Sequence, residues 1–221
     1  MRSGEFATVL DDLCATRSNV ALAAEITRRG GDIGHGYIAQ LRKGRKDNPT
    51  RRTIEDLAGA LGVHPACFVG GRRELRPGER PSWRGHAIRQ LFETADRPQS
   101  PEEVAAAIGS ISGSYLRELL TGASDNPRLR HIHGLAQHFG VPAAYFFDDD
   151  LARRVDEERT DLEAMRDLGV IEFATRLSER APHLSARTRA AAIRAVTQAL
   201  RTKEGERWSF DSPTVDEDGA S

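Results

Sequence analysis

The sequence predicts an all-α protein, with two tandem helix-turn-helix domains and a helical C-terminal segment, from three observations. The stretch from Tyr37 to Phe68 returns without a gap as Tyr115 to Phe146, an offset of 78. Within each copy the apolar residues recur at helical spacing, and glycines close the stripes. Beyond Phe147 the chain changes to long charged stretches whose apolar residues again fall at helical spacing. Internal repetition at a fixed period says that one small fold was used twice.

In the first copy, Phe6, Val9, Leu10, Leu13 and Cys14 form the stripe of one helix, and Leu22 and Ile26, with small alanines between them, form the next. A turn from Thr27 to Ile33, holding Gly30 and Gly31, leads to a third helix entered through Gly34 and Gly36, with Ile38 and Leu41 facing inward. Gly44 ends it, a polar loop carries Asn48 and Pro49, and the stripe Ile54, Leu57, Ala58, Leu61 runs to Gly62. Pro65 opens a last short apolar turn. The second copy repeats the plan with Ile88, Leu91 and Phe92, then Val104 and Ile108, then Leu116 and Leu119, and finally Ile132, Leu135, Ala136 and Phe139 up to Gly140. Two helices joined through a glycine-containing turn, the second entered through small residues, outline a helix-turn-helix. Domains are expected at 1–69 and 87–147, each near the lower size limit for a self-sufficient core.

Residues 70–86, GGRRELRPGERPSWRGH, lack apolar periodicity and read as a flexible linker, spanning on the order of 20–25 Å root-mean-square, with an ordered loop that packs Trp83 on a domain as the alternative. In 148–205, Leu151, Val155, Leu162 and Met165 make one stripe, and Leu168, Phe173 and Leu177 continue it up to Pro182. Ser185 then caps a further helix bearing Ile193, Val196 and Leu200. Such stripes must be buried on the repeats, on each other or on another chain. The acidic end, 206–221, is expected to be a disordered tail.

The formal net charge of −1 conceals an uneven distribution: the linker alone holds five arginines against two glutamates. A nucleic-acid binder needs a basic face, not a basic total. Cys14 and Cys67 both lie within apolar helical pattern and read as small hydrophobes, which argues against a disulfide framework or a zinc site. No apolar run is long enough for a membrane span and no signal-peptide core is present, so a cytoplasmic protein is expected. His131, His133 and His138 scatter around one helix instead of sharing a face, and Asp148 to Asp150 suit the start of a helix. With no phosphate loop, nucleophile elbow or His-Glu metal motif, no enzyme activity and no cofactor are expected.

The spacing Y-I-x-x-L-R-x-G, N-P, I-x-x-L-A-x-x-L-G-V resembles the phage-repressor-like (XRE/Cro-type) helix-turn-helix regulators, over roughly 6–69 and again over 87–147. MRDLGV at 165–170, after the aspartate run and before an arginine-bearing helix, resembles the C-terminal half of the actinobacterial EspR-type nucleoid-associated regulators. That resemblance implies a homodimer through 148–205 and a place on the nucleoid. Its departure is that the EspR type carries one helix-turn-helix per chain and this sequence carries two.

In a helix-turn-helix the outer stripe of the second helix faces base edges and flanking cations grip phosphates. The first copy offers His35, Gly36, Ala39, Gln40 and Lys43, followed by Arg42, Arg45, Lys46, Arg51 and Arg52. Gln40 has the two amide groups that pair with adenine. The second offers Gly113, Ser114, Arg117 and Glu118, with Arg128 and Arg130 further on, and is weaker because its loop from Ala123 to Asn126 lacks any Lys or Arg. The expected function is a sequence-specific transcriptional regulator that binds double-stranded DNA mainly through the first domain. The alternative is an interaction adaptor in which one or both repeats bind protein instead of DNA.

Overall fold

The computed structural model describes residues 4–95 and 97–210, and among these every regular element is helical. They divide into two compact units, with the boundary after Val155.

In the first unit the first repeat gives α1 (Gly4–Leu13), α2 (Asn19–Arg28), α3 (His35–Arg42), α4 (Arg51–Leu61) and a 3-10 turn at Pro65–Val69. The second repeat gives α5 (His86–Glu93), α6 (Pro101–Ile108), α7 (Gly113–Thr121), α8 (Leu129–Phe139) and a 3-10 turn at Ala143–Phe146. Their starts follow from the sequence: Ser18 accepts from the Ala21 N–H, and Ser100 forms a reciprocal capping box with Glu103. Gly62 and Gly140 end α4 and α8 at φ of +71° and +67°, a conformation costly for any residue with a Cβ. The stripes named above point inward, and Leu10, Ile38, Leu41, Leu57, Ile88, Leu116 and Leu135 have no exposed surface.

The two repeats are not separate domains on a flexible tether. They pack about a local two-fold axis that passes through an antiparallel bridge between Thr50 and Arg128. The Arg51 amide donates to the Pro127 carbonyl at 2.8 Å, and its counterpart, the Leu129 amide, donates to the Pro49 carbonyl at 2.8 Å. One residue further on, Arg52 N–H donates to Asn126 Oδ1 (3.0 Å) and Arg130 N–H to Asn48 Oδ1 (2.9 Å). Every partner is its counterpart's equivalent at the offset of 78, so the Asn-Pro pairs form the joint between the halves.

Residues 70–86, expected as a flexible linker, form an ordered strap. Its arginines pair in turn with the aspartates that open α9 (Asp149–Asp167): Arg72 with Asp148 (2.9 Å), Arg84 with Asp149 (3.0 Å) and Arg76 with Asp150. Glu79 also takes Arg72, which holds its carboxyl down at about 2. Trp83 lies between Phe146 and Phe147, stacked on the first at 5.5 Å, and Arg84 is buried over the Tyr145 ring. The composition of this segment suits a solvated chain; ion pairs and an aromatic anchor order it.

Leu151 and Val155, expected on a dimer seam, pack instead against the core of this first unit. In the second unit α10 (Val170–Arg180) packs on α11 (Ala186–Phe210), which Ser185 caps through the Thr188 amide. Helix α11 continues through 206–210, where a disordered tail is expected; 211–221 lie outside the described residues, as does the side chain of Leu200. Leu162 and Ile171 remain exposed, while Met165, Leu168, Phe173, Leu177, Ile193 and Val196 are half-buried. No described helix is long and apolar enough to cross a membrane.

Candidate nucleic-acid interface

Helix α3 is fixed from behind. Ile38 and Leu41 are fully buried, and Arg42 reaches back to Asp11 (2.8 Å) on α1 and Asn19 (2.9 Å) on α2. Arg42, expected at phosphates, therefore acts as a brace. The opposite face carries His35, Gly36, Gln40 and Lys43 in solvent, with Ala39 half-buried beside them. The loop folds back under the helix because the Arg45 and Lys46 amides both donate to the Gln40 carbonyl, at 2.9 and 3.2 Å. Lys43, Arg45 and Lys46 are thereby gathered at the C-terminal end of α3, exposed and without an ion-pair partner among the described residues. Glycine at 34 and 36 is not demanded by packing, since a Cβ at either would meet nothing within 4 Å.

Arg51 and Arg52 do not join this cluster. Arg51 is buried between the repeats, bonded to Glu55 (2.6 Å) and Asp125 (3.1 Å), and Arg52 pairs with Asp125 at 3.0 Å. Arg128 crosses in the other direction: it belongs to the second repeat, yet it lies near Tyr37 on α3, where it opposes the rise that burial imposes on the Tyr37 phenol. The exposed Arg128 side chain thus adds a cation to the first repeat's face.

The corresponding face of α7 is less basic. Ser114 and Glu118 are exposed, Arg117 is paired with Glu102 (2.8 Å), and a Cβ on Gly113 would collide with Glu102. Arg130 sits across the inter-repeat joint, its Nε 3.4 Å from His131 Nε2. His131 is buried against Tyr115, and its imidazole is held below its ordinary value by that burial. His138 contacts Gln99 at 2.9 Å, so the three histidines share no site, and no cluster of potential metal ligands occurs among the described residues.

Sequence reasoning misses Asp125, Asn48 and Asn126 as the residues that orient the two faces. Their signal is the repeated Asn-Pro at the offset of 78, which locally resembles any polar loop.

Two strain versions of the nucleoid-associated protein EspR of Mycobacterium tuberculosis are each 35% identical to this chain over 97 residues, covering 40% of this chain and 74% of that protein. No family model matches the chain, and no solved structure matches it.

Proposed function

The chain belongs to the family of the nucleoid-associated protein EspR, and on that premise we propose that it is a DNA-binding, nucleoid-associated transcriptional regulator. In this reading α2–α3 and α6–α7 are helix-turn-helix units of the phage-repressor type, and α3 enters the major groove. The observation that carries it is the separation of the cations: Arg42, Arg51 and Arg52 are spent on internal partners, whereas Lys43, Arg45 and Lys46 stand free beside the exposed His35 and Gln40. Small residues at the start of α3 leave its backbone open to close approach. The local two-fold axis supports a second point, that one chain presents α3 and α7 to one inverted site with unlike halves.

Gln40→Ala is expected to cost about 1–3 kcal/mol on the preferred site, by loss of a bidentate base pairing, and much less on random DNA. Sites selected from random DNA by the purified protein supply the first substrate, and titration of both by fluorescence anisotropy gives the difference. Equal losses on the two DNAs would remove Gln40 from sequence reading. A protein partner for the second repeat is the alternative reading, and the exposed Glu118 and the cation-free loop before Asn126 are the features that would suit it.

The second unit is proposed to dimerise. Leu162 is 55% exposed and Ile171 38%, next to the half-buried Met165 and Leu168, a stripe that a second copy would cover. Light scattering on the full chain is expected to give twice its 24.3 kDa. A mass equal to one chain would rule out this role.

A further inference from the structure

We propose that a pocket on one side of the inter-repeat axis binds a small organic cation of the guanidinium or primary-amine class. The joint between the repeats is two-fold in its backbone and its asparagine clasps but not in the side chains beside them. On one side Arg51 fills the interface between Glu55 and Asp125. At the offset of 78 the equivalents of Arg51, Glu55 and Asp125 are Leu129, His133 and Asp47, and these three line a cavity of about 410 Å3. That volume falls within the range of small-molecule sites.

The filled side shows what chemistry the open side lacks. Asp125 accepts two guanidinium groups, from Arg51 at 3.1 Å and Arg52 at 3.0 Å. Asp47, its equivalent, has no ion-pair partner among the described residues: a leucine stands where Arg51 would be mirrored, and Arg130, the equivalent of Arg52, turns to His131. Gly134 stands at the position equivalent to Asp56, where the Ile108 side chain lies against it and no second carboxylate is present. The remaining groups tolerate a cation. Burial keeps the His133 imidazole below its ordinary value and so neutral near pH 7, and Gln137 and Asn48 are uncharged. Arg130, on the wall, is the opposing charge, and it can take the carboxylate of an amino acid whose cationic end lies at Asp47. Phe6 and Phe68, buried and packed on each other with ring centroids 5.1 Å apart, close the apolar floor of the cavity. The site is separate from the exposed face of α3, so its occupancy is measurable without DNA.

The test is thermal unfolding of the full chain with agmatine, arginine or inorganic phosphate. Agmatine and arginine are each expected to raise the Tm saturably, by about 3–6 °C at ten times the dissociation constant. Asp47→Asn, at an exposed position, is expected to weaken this binding at least tenfold. The double change Leu129→Arg with His133→Glu copies the filled side into the pocket and is expected to abolish the shift. No saturable shift with either amine, an equal shift with phosphate, or an undiminished shift in Asp47→Asn would each overturn the proposal. If the double variant does not fold, Asp47→Asn alone decides.

Discussion

Arg51→Ala is expected to destabilise the first unit by about 3–5 kcal/mol at pH 7, the usual consequence of removing one partner from a buried ion pair. Arg51 joins the repeats through its side chain as well as its amide, and it is the counter-charge of Glu55 on α4. Burial already raises the Glu55 carboxyl above its ordinary value, even with Arg51 opposing that rise. Without the arginine the rise is larger. A carboxyl whose folded value lies above its unfolded one carries no penalty below the unfolded value and the full penalty above the folded one. The loss should therefore shrink as pH falls to about 4, where Glu55 is protonated in both states. Urea unfolding at pH 7 and at pH 4 measures both statements. A loss under about 1 kcal/mol at pH 7, or one that grows with acid, would mean that Arg51 is not the keystone of this interface.

Neutralising Arg45 and Lys46 together should flatten the salt dependence of DNA binding by about 1.8 in the slope of log K against log salt, about 0.9 for each phosphate left without its cation. The difference between parent and variant then changes about tenfold between 50 and 200 mM salt. This effect should be the same on the preferred site and on random DNA, because phosphates carry no sequence information. Neutralising Arg52 instead should leave the slope unchanged, since its charge is already matched by Asp125. Anisotropy titrations across a salt series distinguish the two cases. A slope unchanged by neutralising Arg45 and Lys46 would remove that loop from the DNA interface.

Those two experiments also mark where the sequence is readable. Helix-forming stripes such as Ile54, Leu57, Ala58 are local, and the repeat is visible as identity at a constant offset. Arg45 and Arg51 look equivalent in composition; what separates them is Asp125, 74 residues beyond Arg51, which no local pattern connects to it. The strap escapes a local reading for the same reason, since Arg72, Arg76 and Arg84 meet Asp148, Asp150 and Asp149 across the whole second repeat, 76 residues apart for the first pair and 74 for the second. Leu151 and Val155 suit a dimer seam on spacing alone, because periodicity gives the buried face of a helix but not the surface that covers it.

The joint between the repeats also bears on how such a protein changes over generations. When identical chains pair, each substitution at the interface is made twice and must suit both sides at once. Fusing the copies lifts that constraint. Arg51 and Glu55 could persist on one side while the equivalent positions became Leu129 and His133 on the other, with the Asn48 and Asn126 clasps keeping the halves in register. The repeated sequence thus keeps two-fold geometry at the joint while the two sides of that joint carry different side chains.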